Sequence, residues 1–419
     1  MHNPLYRAVW RWHFYAGLAV LPFLAWLAVT GGLYLYKPEI EGLVYRAWTH
    51  VPAGAALPIA TLTASVERQA QAKVLQIAFP ATRGTSWRMT LATPEGTRRL
   101  AFVDPQTGAL LGTTGDGGVM QIVRTLHSLA IAGPIGNALI ECVAGWAILL
   151  VASGLYLWWP RRGAPVFALR GRPAGRLFWR DLHASVGLVA AAVILFLALT
   201  GMPWTGVWGG ALQRQVAGHG LGRPAPPAAD PHAGHDSLPW SLQAAGQPMA
   251  EMVGDLGPDR IARIAAARGL APPWTMTLPS GHAPYLVSAA IIRADDAHIL
   301  YLDPATGAVL QDSRYAGFGA GARTIEWGIA VHQGQHYGEP NRLVMLAGCV
   351  AILLLALTAP VLWWKRRRHG RLRAPPAADP RSARGVAALM LAVGALFPLT
   401  GASLLAVLLA ERAFRRIAR

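Results

Sequence analysis

Apolar residues along this chain gather into long runs separated by stretches of mixed character. Runs of about 20 residues or more, the length that crosses ~30 Å of hydrocarbon, occupy 14–36, 137–159, 184–207, 341–364 and 385–410. They predict five membrane-spanning helices. Between the first and second runs, and again between the third and fourth, the period changes. Alternating segments near Val74–Phe79, Trp87–Leu91, Trp274–Leu278 and Tyr285–Ala290 predict strands, and helical stretches at Leu62–Lys73 and Asp259–Arg268 precede them. Each region also holds a strand that runs into Asp-Pro-x-Thr-Gly, at Asp104–Gly108 and Asp303–Gly307. Asp and Pro open a turn there, Gly supplies positive φ, and a second strand leaves. Helix followed by antiparallel strands predicts two small α+β domains.

The runs are duplicated. His13 begins WRWHFYAGL and an apolar run closing on Thr30-Gly31; His183 begins WRDLHASVGL and a run closing on Thr200-Gly201. The offset is constant, 183 − 13 = 170 and 200 − 30 = 170. A second pair recurs at its own offset: His127 and His332 each stand 31 residues ahead of a Trp-Trp with a basic cluster (158 − 127 = 31 and 363 − 332 = 31). The resulting order is a first membrane helix within 1–36, a domain at 37–136, helix 137–159, a loop at 160–183, helix 184–207, a domain at 208–340, helix 341–364, a basic segment at 365–384 and helix 385–410. The last run has arginines on both flanks and contains Phe397-Pro398. It is read as one tilted crossing rather than two half-length helices.

Composition sharpens this picture. The chain is 53% hydrophobic and only 14% charged, which excludes an ordinary soluble enzyme. Its net charge of +17 comes from arginine clusters that flank apolar runs, at Arg7 and Arg11, Arg161–Arg180 and Lys365–Arg373. The positive-inside rule then puts the amino terminus, the 160–183 loop and the segment after Trp364 in the cytoplasm, and both α+β domains on the opposite face, the periplasm of a cell with two membranes. A nucleic-acid partner would need a soluble basic surface with interleaved aromatics, so none is expected. The first run exceeds a signal h-region and has no small-residue cleavage site, so it is expected to stay as a helix. Cys142 and Cys349 lie inside apolar runs and read as small core residues.

The recurring histidines are the candidate chemistry, because ionisable groups at membrane depth are functional candidates by default. His13 with His183, and His127 with His332, are expected to ligate two haem b groups, one near each membrane surface. Neutral imidazoles facing each other in a helical bundle suit low-spin iron and outer-sphere electron transfer. His336, one turn past His332, is an alternative ligand, and crossed pairing stays open. Arg11 and Arg180 at one end, and Arg124 and Arg342 at the other, are candidate propionate partners, with interfacial snorkelling as the competing role. Glu141, inside a span, marks a proton path or a buried polar contact. His219, His232 and His235 sit on a Pro/Ala-rich stretch that reads as a linker more readily than a metal site. No GxGxxG after a strand, P-loop, HExxH or Cys-ligated cluster occurs, so electrons must arrive from a separate cytoplasmic reductase or quinol.

Taken together, the His-x3-Gly…Thr-Gly spans, the Asp-Pro-x-Thr-Gly hairpins and the Trp-Trp plus basic exits resemble the PepSY-associated transmembrane family. The likeness covers nearly the whole chain. It implies an inner-membrane helical bundle built from a duplicated span–PepSY–span unit with two periplasmic PepSY-like domains, and iron chemistry, since haem-containing siderophore reductases belong to that family. The expected partners are the lipid bilayer and a ferric siderophore or similar chelate, with Trp87, Arg88, Trp274 and Tyr285 as candidate chelate contacts. A non-enzymatic sensor, binding or assembly role, and reduction of another metal complex, are the alternatives.

Overall fold

A computed structural model describes residues 4–159, 167, 169–222, 229–230, 247–250, 254–367 and 379–417. Among these, four helical segments are long and apolar enough to cross a membrane: Pro4–Leu35, Ala130–Trp158, Arg176–Trp204 and Glu339–Trp364. Their α-helical parts are α1 (Pro4–Leu35), α6 (Gly133–Trp158), α7 (Arg176–Gly201) and α11 (Glu339–Trp364). α1 packs on α6 and on α11, and α7 packs on the same two. The four therefore form a ring in which α1 and α7 face each other across the centre.

Short amphipathic helices flank the bundle. α2 (Lys37–Val44) and α3 (Arg46–Thr49) follow α1, and α8 (Val207–Gly218) follows α7. α5 (Gly118–His127) precedes α6, and α10 (Ala320–His332) precedes α11. Both of the latter end on their histidine. A left-handed glycine then turns the chain into the next span, Gly133 at φ 60° and Gly338 at φ 65°, with a proline in the first turn of each span. Only glycine takes such a φ without strain, and proline loses nothing at a helix start.

The mixed regions fold as the alternation requires, with one correction. The first holds α4 (Ile59–Ala70) and strands β1 (Lys73–Phe79), β2 (Trp87–Ala92), β3 (Arg98–Val103) and β4 (Leu110–Gly115); the second holds α9 (Pro258–Ala267), β5 (Trp274–Thr277), β6 (Tyr285–Ala289), β7 (His298–Leu302) and β8 (Val309–Arg314). They are not two separate domains. β1 pairs with β5 antiparallel, Gln76 opposite Thr277 through Phe79 opposite Trp274, giving one eight-stranded sheet in the order β8-β7-β6-β5-β1-β2-β3-β4. Two edge strands that would otherwise expose unpaired N–H and C=O groups satisfy each other instead.

The shared sheet has one shared core. Ile59, Leu62 and Val66 of α4 and Ile261 and Ala265 of α9 lie over Ile77, Met89, Leu91, Met276, Val287 and Leu300. Asp259, in the first turn of α9, accepts from the backbone N–H groups of Ile59 (2.7 Å) and Ala60 (2.9 Å), so one helix caps the start of the other. Both Asp-Pro-x-Thr-Gly segments are turns as expected, with Gly108 at φ 72° and Gly307 at φ 71°. The Asp104 and Asp303 carboxylates receive the turn's N–H and hydroxyl groups.

The run at 385–410 is a second correction. It is not one crossing but two helices, α12 (Pro380–Leu396) and α13 (Pro398–Ile417), broken at Phe397. Pro398 has no N–H to continue the ladder, and it drives Phe397 out of the helical region, to φ −123° and ψ 84°. The two helices fold together at Gly394 and Gly401, where a Cβ on Gly394 would lie 2.5 Å from the Gly401 backbone. The hairpin lies along α1 and α6: Leu404 packs with Val20, Val143 and Trp146, and the Trp146 indole donates to Ser403 Oγ at 2.9 Å.

Candidate functional site

Each of the four repeated histidines meets a hydroxyl on a neighbouring helix through Nδ1. His13 on α1 meets Ser153 Oγ on α6 at 2.8 Å, and His183 on α7 meets Thr358 Oγ1 on α11 at 2.7 Å. His127 at the end of α5 meets Thr30 Oγ1 on α1 at 2.9 Å, and His332 at the end of α10 meets Thr200 Oγ1 on α7 at 2.7 Å. Each hydroxyl in turn reaches a carbonyl of its own helix: Thr30 to Trp26, Ser153 to Leu149, Thr200 to Phe196 and Thr358 to Leu355.

That second contact sets the tautomer. A hydroxyl has one proton, and with it given to the carbonyl the oxygen accepts from the imidazole Nδ1–H. The neutral ring then carries its lone pair on Nε2. Among the described residues, the Nε2 atoms of His13, His183 and His332 make no hydrogen bond of their own, and the His127 ring also meets the Leu27 backbone. An imidazole tied back through Nδ1 and open at Nε2 is the arrangement of a metal-ligating histidine.

His13 and His183 stand on facing helices at one end of the bundle, while His127 and His332 meet the threonines that close the same two helices at the other end. On α1 the two sites are marked by His13 and by Thr30, 30 − 13 = 17 residues apart, or ~25 Å along the helix axis. Space for three of the rings comes from a glycine directly after the hydroxyl, whereas Thr358 is followed by Ala359. A Cβ on Gly31 would stand 3.3 Å from His127 Cε1, one on Gly154 3.3 Å from His13 Cε1, and one on Gly201 3.8 Å from His332 Cε1. The Thr-Gly endings of the spans thus supply an acceptor and a cradle. The donor set and the glycine cradles fit a pair of bis-imidazole haems; among the described residues no group of three or more His, Cys, Asp or Glu is placed to hold a bare metal ion.

Two of these hydroxyls escaped the sequence reading. Thr30 and Thr200 were visible as repeat markers, whereas Ser153 and Thr358 were not singled out. The signal was present: the offset relating the outer histidines, 332 − 127 = 205, also relates these two, 358 − 153 = 205. His336 is resolved too. Its Nδ1 accepts from the Ala294 N–H at 3.1 Å, so the neutral ring holds its proton on Nε2 and has no lone pair for iron.

The four arginines are placed differently from one another. Arg180 is paired with buried Asp181 at 2.7 Å, which also binds Arg170 at 2.8 Å. Arg342 binds Glu39 and Glu339 and lies over the Tyr36 ring at 4.8 Å; its hydrogen bond holds the Glu39 carboxyl below the usual range. Arg11 lies over the Tyr15 ring at 5.2 Å. Arg124, exposed on α5, has no ion pair among the described residues.

Glu141, only 2% exposed, caps α8: both of its oxygens accept backbone N–H groups, from Val207 at 2.9 Å and Trp208 at 3.1 Å. Asn137, one turn earlier, accepts from the Gly206 N–H at 2.7 Å. The carboxylate is therefore a helix anchor, held at the positive end of the α8 dipole. The candidate chelate contacts are likewise engaged in packing and ion pairs. Trp274 is stacked on Phe79 with ring centroids 4.0 Å apart, Trp87 packs edge-on against Phe79, and Arg88 is paired with Glu41. Tyr285 is 1% exposed and donates to Asp255, with burial, then the Asp255 charge, pushing its phenol above the ordinary range. His219 lies at the end of α8 with Nδ1 2.9 Å from the Gln215 carbonyl; His232 and His235 lie outside the described residues.

Fold and site together define a multi-pass membrane protein made of two helix–sheet–helix halves that share one sheet. The family described as the PepSY-associated TM region matches residues 10–366, and the chain belongs to it. No curated protein shows significant similarity to the chain.

Proposed function

We propose that the chain is a haem b-containing electron-transfer protein of the bacterial inner membrane that passes electrons from the cytoplasmic side to a ferric complex, such as a ferric siderophore, at the sheet side. The observation that carries this reading is the set of four imidazoles, each tied back through Nδ1 to a hydroxyl, with His13, His183 and His332 open at Nε2 among the described residues, and paired at two levels ~25 Å apart along the bundle. Haem held by two imidazoles supplies one-electron, outer-sphere chemistry. His13 and His183 hold one macrocycle and His127 and His332 the other. Ser153, Thr358, Thr30 and Thr200 keep the ligands neutral and oriented, and the apolar bundle around them excludes water.

The sheet lies at the His127–His332 end, placed there by α2, α5 and α10. In this reading that end faces the periplasm, and the basic segments at the other end face the cytoplasm. One electron converts Fe(III) to Fe(II), which hard oxygen donors bind less tightly. The metal is then released without a nucleophile or a general base.

Purified protein should give reduced-minus-oxidised b-type bands with two haems per chain. His13→Ala and His183→Ala should each remove one haem, and His127→Ala and His332→Ala the other. A colourless preparation that remains without bands after haem reconstitution rejects the redox reading and leaves the binding or assembly role of the sheet in its place.

A further inference from the structure

Axial ligands on facing helices determine which other helices can touch the edge of a bound macrocycle. His13 belongs to α1 and His183 to α7, opposite members of the ring. A flat group bridging them would have its edges toward the two remaining helices, α6 and α11. Arg11 and Arg180, the cations adjacent in sequence to the ligands, stand on the ligand-bearing helices and are turned to Tyr15 and Asp181.

The end of α11 carries a cation that has no ion pair with an anion among the described residues. Arg366, just past Trp364, lies over Trp10 at 4.2 Å and over Phe14 at 5.6 Å, and Phe14 is the neighbour of His13. Its Nη1 is sealed from solvent and has no hydrogen-bond partner among the described residues. The charged group that acts on it is another cation, Arg176 at the start of α7, and burial and this repulsion both disfavour the charged guanidinium. Phe14 also meets Trp363 edge-on at 6.1 Å, which fixes the exit of α11 against α1. An arginine that snorkels puts its head into water or headgroups. Here the guanidinium is folded back over two rings, with a desolvated N–H and like charge beside it.

We infer that Arg366, helped by Arg176, forms a carboxylate site that receives a propionate of the macrocycle held by His13 and His183. The inference rests on the haem reading above. Arg366 is a binding residue for the anionic edge of that group, and its fork matches a carboxylate while Lys365 does not. The repeat supports the position, since 366 − 161 = 205 places Arg161 at the matching exit of α6, although Arg161 lies outside the described residues.

The test uses full-length protein in the His332→Ala background, in which only the His13–His183 haem remains. Removing the cation should destabilise the reduced, more negative state. Arg366→Gln should therefore shift the midpoint potential of this haem to lower values or remove the haem, and Arg366→Lys should retain the haem with a smaller shift. Arg366→Gln with wild-type haem content and potential overturns the inference while leaving the haem reading standing. Wild-type protein that takes up no haem overturns both. The measurements are made in nanodiscs of purely zwitterionic lipid and of lipid containing phosphatidylglycerol. An effect of Arg366→Gln confined to the anionic discs assigns the anion to a phospholipid phosphate and overturns the propionate assignment.

Discussion

The two halves of this chain hold their imidazoles alike and brace the surrounding helices differently. In each half a histidine near the start of the leading span meets a hydroxyl on the following span, and a histidine at the end of an amphipathic helix meets the threonine closing a leading span. The bracing shows the contrast. In the first half, α2 is tied to α11 by an ion pair between Glu39 and Arg342. In the second, α8 is tied to α6 by Asn137 and Glu141, which accept backbone N–H groups. Arg342 and Asn137 stand at matching places, since 342 − 137 = 205. One position thus does one mechanical job by opposite chemistry. What both copies retain marks the requirement imposed by the site; what they exchange marks packing that has several solutions.

The sharpest way to break the comparison is to remove the two braces. Glu141→Ala leaves two backbone donors of α8 without acceptors at a buried position, at a cost of about 2–3 kcal/mol. Its thermal midpoint in detergent should fall well below that of Glu39→Gln, since the Glu39 carboxylate is itself half-exposed and screened by solvent. Equal losses in the two variants would mean that the braces are equivalent and that the contrast lies only in the residue names.

The next test concerns the feature the halves share. Thr30→Val and Thr200→Val each remove an acceptor from an imidazole Nδ1, and each should weaken haem retention by about 10- to 100-fold. Thr→Ser at either place should preserve it, as the serine at 153 indicates for the first half. Haem loss to apomyoglobin measures the effect. A response at one threonine only would show that the hydroxyl relay is a requirement in one half and a packing accident in the other.

These relays also show how far the sequence could be read. His13, His183, His127 and His332 were legible because an ionisable group in a membrane-length run is costly, and its recurrence at a fixed offset has no cheap explanation. Strands and turns were legible because alternation and Asp-Pro-x-Thr-Gly act locally. Ser153 was hidden because a small hydroxyl satisfied by its own helix is unremarkable in an apolar run. The pairing of β1 with β5 was hidden for a different reason. It joins Phe79 to Trp274 across nearly half the chain, and an edge strand carries no mark of its partner. The break at Phe397-Pro398 was visible as a residue pair, yet equal basic flanks gave charge no power to decide between crossing and folding back.

A smaller effect separates two glycines with the same apparent role. A methyl at Gly31 would meet the His127 ring at 3.3 Å, closer than most real contacts, while one at Gly201 would meet the His332 ring at 3.8 Å, an ordinary van der Waals distance. Gly31→Ala should therefore shift the ligand-field bands or potential of the haem at that end, and Gly201→Ala should leave both in place. Identical behaviour would make the cradles symmetrical and confine the difference between the halves to their braces.

The faintest expected signal lies in the shared core of the sheet, where the second half alone contributes a phenol. Burial and then the Asp255 carboxylate raise the ionisation of Tyr285 above its ordinary value of 10.0. A group that holds its proton more tightly when folded contributes stability that is complete below its unfolded value and is lost as pH rises beyond it. In an alkaline titration followed by phenolate absorbance, Tyr285→Phe should leave the step near pH 10 unchanged and diminish only the late step that accompanies unfolding. A reduced early step in the variant would mean that this phenol titrates freely, and that the two halves of the sheet are alike in polarity where their sequences differ.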